Sequence, residues 1–125
     1  MENEKLKSED KIQQECVMWF RNTYGLNHHN PKLLMFSVPN SGQNAKEQLK
    51  KKAVGLLPGV SDTIIVMPNK TIYCEFKDDK GIQSPAQIKF QQDVIELGHE
   101  YWIIRSLDEF KQKINLFRIN INNIL

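Results

Sequence analysis

Cysteine is nearly absent from this sequence. Cys16 and Cys74 stand 58 positions apart, and neither has a partner cysteine beside it. That spacing excludes a zinc ribbon and a disulfide framework, and points to a reducing, cytoplasmic compartment. No apolar run approaches membrane-spanning length, so no membrane partner is expected. The first residues, MENEKLKSED, have no apolar centre, and a secretory signal is not expected there. Charge of one sign is not in excess either, the formal balance being +2. Such a balance neither requires nor forbids a polyanionic partner, so the placement of charge matters more than its sum. No internal repeat is apparent.

What remains is the composition of an ordinary globular domain, with 40% hydrophobic and 26% charged residues. At 125 residues the chain is long enough for one core without metal or disulfide support, and residues 1–125 read as a single domain. SEDKIQQECVMWFRNTYG predicts an amphipathic helix ending near Gly25, with Ile12, Cys16, Trp19, Phe20 and Thr23 on one face. Glu15 lies on the flank of that stripe. LNHHNPK reads as a loop, LLMFSV as a short strand, and SGQNAKEQLKKKAVGLLPG as a polar loop running through a basic segment into a glycine-rich turn. A β-hairpin follows over 59–77. SPAQIKFQQDVIELG predicts a helix with Ser84 as cap, Pro85 in its first turn and Gly98 at its end. HEYWIIR is a further strand, and SLDEFKQKINLF a further helix capped by Ser106 with Glu109 three residues on. The tail at 118–125, rich in Ile and Asn, fits a terminal strand, a dimer contact or a frayed end. The expected fold is α/β, a mixed central sheet flanked by helices in αβββαβ order.

The hairpin gathers charge at one end. Strand alternation puts Asp62, Ile64 and Val66 on one face of its first strand. Thr71, Tyr73, Glu75 and Lys77 share one face of the second. With Pro68 and Asn69 as turn residues, Asp62 falls opposite Glu75. With Asn69 and Lys70, it falls opposite Lys77. Either two-residue turn keeps all three on one face, whereas a three-residue turn separates the acids. Two carboxylates on paired positions repel and need a cation. Lys77 supplies one in the plainer reading, a cross-strand ion pair. The alternative is a divalent cation, Mg2+ or Mn2+, held by Asp62, Glu75 and the intervening backbone carbonyl of Phe76. In that case Lys77 orients the attacking water or neutralises charge in the transition state.

These residues resemble the PD-(D/E)xK nuclease signature: Asp62, twelve intervening residues, then Glu75-Phe76-Lys77, with SD in place of PD. The neighbouring segments narrow the resemblance to the VRR-NUC family. They are VPNSG at 38–42, G-x-x-x-G at 55–59, SPAQ at 84–87 and GHEYWIIRS at 98–106, so that the motif core covers about 34–110. The resemblance implies a restriction-endonuclease-like core with Asp62, Glu75 and Phe76 as metal ligands and Lys77 as the catalytic lysine. It implies a catalytic role for Gln87 on the following helix, and it casts Glu15 as the N-terminal acid that completes the metal site. Each has a plainer reading. Gln87 falls three residues after Ser84 and completes a capping box, and Glu15 can simply point its tip to water. Asp78 and Asp79 read as solvated turn residues, His28 and His29 as loop residues, and both cysteines as small core residues.

Lys46, Lys50, Lys51 and Lys52 form the densest basic run and are the candidate phosphate contacts, with Lys80 and Lys89 as extensions. The expected function is thus a Mg2+- or Mn2+-dependent endonuclease acting on DNA. Small stand-alone members of the family resemble phage or bacterial enzymes for branched DNA such as Holliday junctions, working as homodimers in the host cytoplasm. A nuclease for ordinary duplex or flap DNA is the competing reading. A DNA-binding module without chemistry is the third.

Overall fold

The computed structural model describes residues 8–39 and 45–124, with side chains throughout except at 48 and 119–124. Residues 40–42 of the VPNSG segment therefore lie outside the described residues. The order is α1 (Ser8–Tyr24), β1 (Leu34–Ser37), α2 (Ala45–Ala53), β2 (Thr63–Met67), β3 (Lys70–Phe76), α3 (Pro85–Glu96), β4 (Glu100–Ile104) and α4 (Leu107–Ile124). The four strands form one sheet in chain order. β1–β2 and β2–β3 are antiparallel, and β3–β4 is parallel because α3 supplies the crossover. The mixed sheet with flanking helices is the restriction-endonuclease-like α/β arrangement expected from the sequence.

Strand alternation divides the core in two. On one face, Met35, Ile65, Met67, Ile72, Cys74, Phe76, Trp102 and Ile104 pack against Cys16 and Phe20 of α1 and Phe110 and Ile114 of α4. On the other, Phe90 and Val94 of α3 cover Tyr101, with Val60, Tyr73 and Ile103 around them. Truncating a buried Phe such as Phe20 or Phe110 costs about 3–5 kcal/mol. Both cysteines belong to the first core and are fully buried. Burial pushes the Cys16 thiol up to about 12 and raises that of Cys74 as well. Neither thiol should react with iodoacetamide in the native protein at pH 8, and both should react in urea. Mass spectrometry of the two samples checks this, and native labelling at the rate of a free thiol would contradict the packing.

Two segments differ from the sequence reading. The basic stretch is not a loop but the helix α2. Its residues, AKEQLKKKA, are nearly all strong helix formers with no Gly or Pro among them. Gly55, at φ 110, ends it: Leu56 N donates to Lys51 O at 2.8 Å and Gly55 N to Lys52 O at 3.1 Å. The tail is neither a strand nor frayed up to residue 124, since α4 runs through it. Ser106 Oγ accepts from Glu109 N at 3.1 Å, and extending a helix already nucleated costs little even through isoleucines. Arg118 holds this part of α4 to α1, lying 4.6 Å from the centre of the Tyr24 ring and donating to its hydroxyl at 3.1 Å.

Candidate active site at the end of the sheet

Pro68 and Asn69 form the hairpin turn. Proline fixes φ at the first central position, and Asn69 takes φ 62 at the second. Met67 therefore pairs with Lys70, and Thr63 with Cys74. One step further, just past the end of β2, Asp62 stands opposite Glu75. This is the first of the two registers. Asp62 is tied on both sides: its backbone oxygen accepts from Val38 N at 2.9 Å, and its Oδ2 from Phe76 N at 2.7 Å. Lys77 N donates to Ile104 O at 3.0 Å, which extends the β3–β4 ladder and keeps Lys77 on the face of Glu75. The Phe76 side chain points the other way, into the core.

Glu75 is the anomaly of this region. It is 0% exposed, and neither carboxylate oxygen has a hydrogen-bond partner. Burial raises its pKa, as does the charge of Asp62, while Tyr101, Lys77 and Gln83 act in the opposite direction without cancelling it. Asp62 is also raised, mainly by burial. The Phe76 N–H and Lys77 oppose that shift, and Glu9 and Asp10 reinforce it. A fully buried carboxylate with both oxygens unspent, opposite a half-buried one, is what a hard divalent cation requires. Among the described residues no group of three or more His, Cys, Asp and Glu is assembled as a metal cluster. Two carboxylates suffice for magnesium, which keeps several waters and takes further oxygens from substrate phosphate.

Lys77 makes no ion pair with either acid, so the cross-strand salt bridge is not what the structure contains. Its Nζ donates to Gln87 Oε1 at 3.2 Å, and the residue is only 9% exposed. Gln87 does two things at once. Its Oε1 also accepts from Ser84 N at 2.8 Å while its own N donates to Ser84 Oγ at 3.2 Å, the full capping box of α3. The cap that starts α3 thus fixes the oxygen that receives Lys77.

Glu15 is not brought to this end of the sheet. It is exposed, and its charge acts on Cys16 rather than on Asp62. Six residues along a helix is about 9 Å of rise and well over a full turn, so Glu15 leaves the sheet end that the first turn of α1 meets. Glu9 is the acid that α1 does bring. Its Oε2 accepts from Asp78 N at 3.4 Å, and a Cβ on Gly81 would lie 2.7 Å from that oxygen. An acid immediately after the helix-starting Ser8 was the sequence signal for it. Asp78 is no idle turn residue either. Its Oδ1 accepts from Lys80 N and Gly81 N at 3.0 and 2.7 Å, and its Oδ2 from Ser8 Oγ at 2.8 Å. These bonds, led by that from Ser8, hold its carboxyl below the usual range. Arg105 closes the turn by donating to the carbonyls of Asp78 and Gly81.

Of the basic run, Lys46, Lys50 and Lys52 are exposed, while Lys51 is half-buried and engaged. On a helix only Lys46 and Lys50 share a stripe, so the run fans around α2 instead of forming one patch. Lys89 is paired with Asp93 at 2.7 Å. His29 serves its own loop, accepting from Leu26 N at 2.8 Å.

No family model matches the chain, and no curated protein does. Among solved structures, one described as a VRR_NUC domain protein matches with a TM-score of 0.69 and 19% identity, over 90% of this chain and 89% of the other. The parallel β3–β4 pair, the α3 crossover and the acid-bearing hairpin therefore belong to a fold that this chain shares with a VRR_NUC domain protein.

Proposed function

We propose that the chain is a metal-dependent endonuclease hydrolysing DNA phosphodiesters. The observation that carries this reading is Glu75, fully buried with both oxygens unpaired, opposite Asp62 and beside a lysine. Asp62, Glu75 and the Phe76 carbonyl would hold Mg2+ or Mn2+. Such an ion supplies a more acidic bound water and offsets charge on the phosphoryl oxygens. The chain's own residues do the positioning. The turn at Pro68-Asn69 sets the two acids opposite each other, and the Phe76 N–H fixes one oxygen of Asp62. Gln87 holds the Lys77 ammonium near both acids, where it favours their ionised forms and can neutralise charge gained by the phosphate.

Lys46, Lys50 and Lys52 on exposed α2, just ahead of the Asp62 segment, suit contacts to the DNA backbone, which confer affinity rather than base specificity. Branched DNA, Holliday junctions in particular, is the substrate class proposed, cut by a homodimer whose two-fold symmetry suits a two-fold junction. The two buried, unpaired thiols accord with a reducing phage-host or bacterial cytoplasm.

The test is cleavage of labelled four-way junction, flap and linear duplex in Mg2+, Mn2+ or EDTA, with Lys77→Ala beside the wild type. Junction cleavage in metal but not EDTA, reduced at least about 100-fold in Lys77→Ala, is the expected result. Equal rates on duplex and junction would remove the branched-substrate proposal. DNA binding with no cleavage in any metal would leave only a binding module.

A further inference from the structure

Beneath α3 lies a second polar chain that the capping and catalytic contacts leave unused. Gln83, in the segment leading into α3, donates through Nε2 to Gln91 Oε1 at 3.0 Å and to the Tyr101 hydroxyl oxygen at 3.4 Å. Both hydrogens of that amide are committed by those two bonds. Tyr101 is 8% exposed and sits on β4 beside Tyr73, one same-face step from Ile103, the partner of Glu75. Because its oxygen already receives Gln83, its own O–H hydrogen remains to be given away. The acceptor on that face is Glu75, whose two oxygens have no partner. The electrostatics agree in direction: Tyr101 and Gln83 favour the charged form of Glu75, and the Glu75 charge helps raise the phenol of Tyr101.

We infer that Tyr101 is a positioning residue for Glu75. The Gln91–Gln83 pair holds the phenol oxygen on the face of Glu75, so that when a cation draws in one carboxylate oxygen the O–H can turn to donate to the other. This rests on the proposed metal role of Glu75. The arrangement is an outer layer of the kind that orients metal-ligating carboxylates, whose loss typically weakens metal binding about 10–100-fold. It gives Gln83, a residue without charge or catalytic chemistry of its own, a defined effect at the site.

The experiment is calorimetric titration of Mn2+ into the protein without DNA, for wild type, Tyr101→Phe, Gln83→Leu and the double variant, with melting temperatures measured in EDTA. Tyr101→Phe should weaken Mn2+ binding about 10-fold or more. Gln83→Leu should weaken it less, and the double variant no more than Tyr101→Phe alone, because both act through one hydrogen bond. A purely structural role would instead lower the melting temperatures and leave Mn2+ affinity unchanged. Unchanged affinity in Tyr101→Phe, or fully additive losses in the double variant, would overturn the inference while leaving the metal site standing. Wild type that binds no Mn2+ would overturn the metal reading, and this inference with it.

Discussion

Glu75→Gln is expected to abolish cleavage and yet to raise the melting temperature in metal-free buffer at neutral pH. The two effects share one cause. Glu75 carries both oxygens out of water with no donor to receive them, and each unsatisfied buried polar group costs about 1–3 kcal/mol. The carboxylate is the costlier occupant because its charge is desolvated as well. An amide of the same shape removes the charge and brings a donor that can face Asp62. The pH dependence follows in sign. Burial raises the Glu75 pKa above the ordinary glutamate value of 4.5, so the folded state holds that proton more tightly than the unfolded one. Stability contributed by the protonated form is present below 4.5 and is lost as pH climbs to the raised folded value, beyond which the deficit is constant. Glu75→Gln should flatten that part of the curve, leaving the parallel decline caused by Asp62. Adding Mn2+ should reverse the order of the two proteins, since a ligand that binds only the folded state stabilises it in proportion to the logarithm of its concentration over Kd. Cleavage should fall by at least about 10²–10³-fold. Calorimetric scans from pH 4 to 8, in EDTA and in Mn2+, check the whole set. A variant that melts below wild type in EDTA at pH 7 would show that Glu75 is no structural liability, and the strongest support for a cation site would be gone.

The hairpin was legible in sequence because few residues suit its turn. Pro68 cannot donate or take positive φ, whereas Asn69 tolerates it, and that choice brings Asp62 opposite Glu75. α3 was legible because Ser84, Pro85 and Gln87 agree on one start. α2 was missed for a physical reason: with Leu49 exposed, its described side chains bury no stripe that periodicity could reveal, and only its composition favours a helix. The placement of Glu15 is a case of another kind. The apolar stripe of α1 correctly showed which face is buried, but not where the helix meets the strand ends, and that meeting selects Glu9. The sequence does not tie Tyr101 and Gln83 to Glu75, because their relation exists only once β4 lies parallel to β3 and α3 crosses above them. The same holds for the union of Lys77 with the α3 cap, in which Gln87 appears as either a capping or a site residue until the fold makes it both.

Gly59→Ala should be among the most destabilising single substitutions in the chain, and it should disable the site in whatever fraction still folds. Gly59 has φ +82, and an added Cβ would lie 2.2 Å from Ala86 O, 2.4 Å from Ala86 C and 2.8 Å from Gln87 N. All three are backbone atoms in the first turn of α3, so no side chain can rotate away. Positive φ in a residue with a Cβ costs about 1–2 kcal/mol, and forced overpacking about 1–3 kcal/mol more. Together they take a large share of the 5–15 kcal/mol typical of a domain. Gly98 separates the two costs, since it has φ +88 but nothing within 4 Å of an added Cβ. Gly98→Ala should therefore show the backbone strain alone, and Gly59→Ala roughly twice the loss or more, by urea denaturation. Equal losses would mean that the close approach to α3 imposes no constraint. Relief of the clash has only two routes, and each damages chemistry. If α3 retreats, it carries Gln87 from Lys77; if the chain at 59–62 retreats, it carries Asp62 from Glu75. The G-x-x-x-G segment thus appears as the joint where the α3 cap and the acid-bearing strand are pressed into one site.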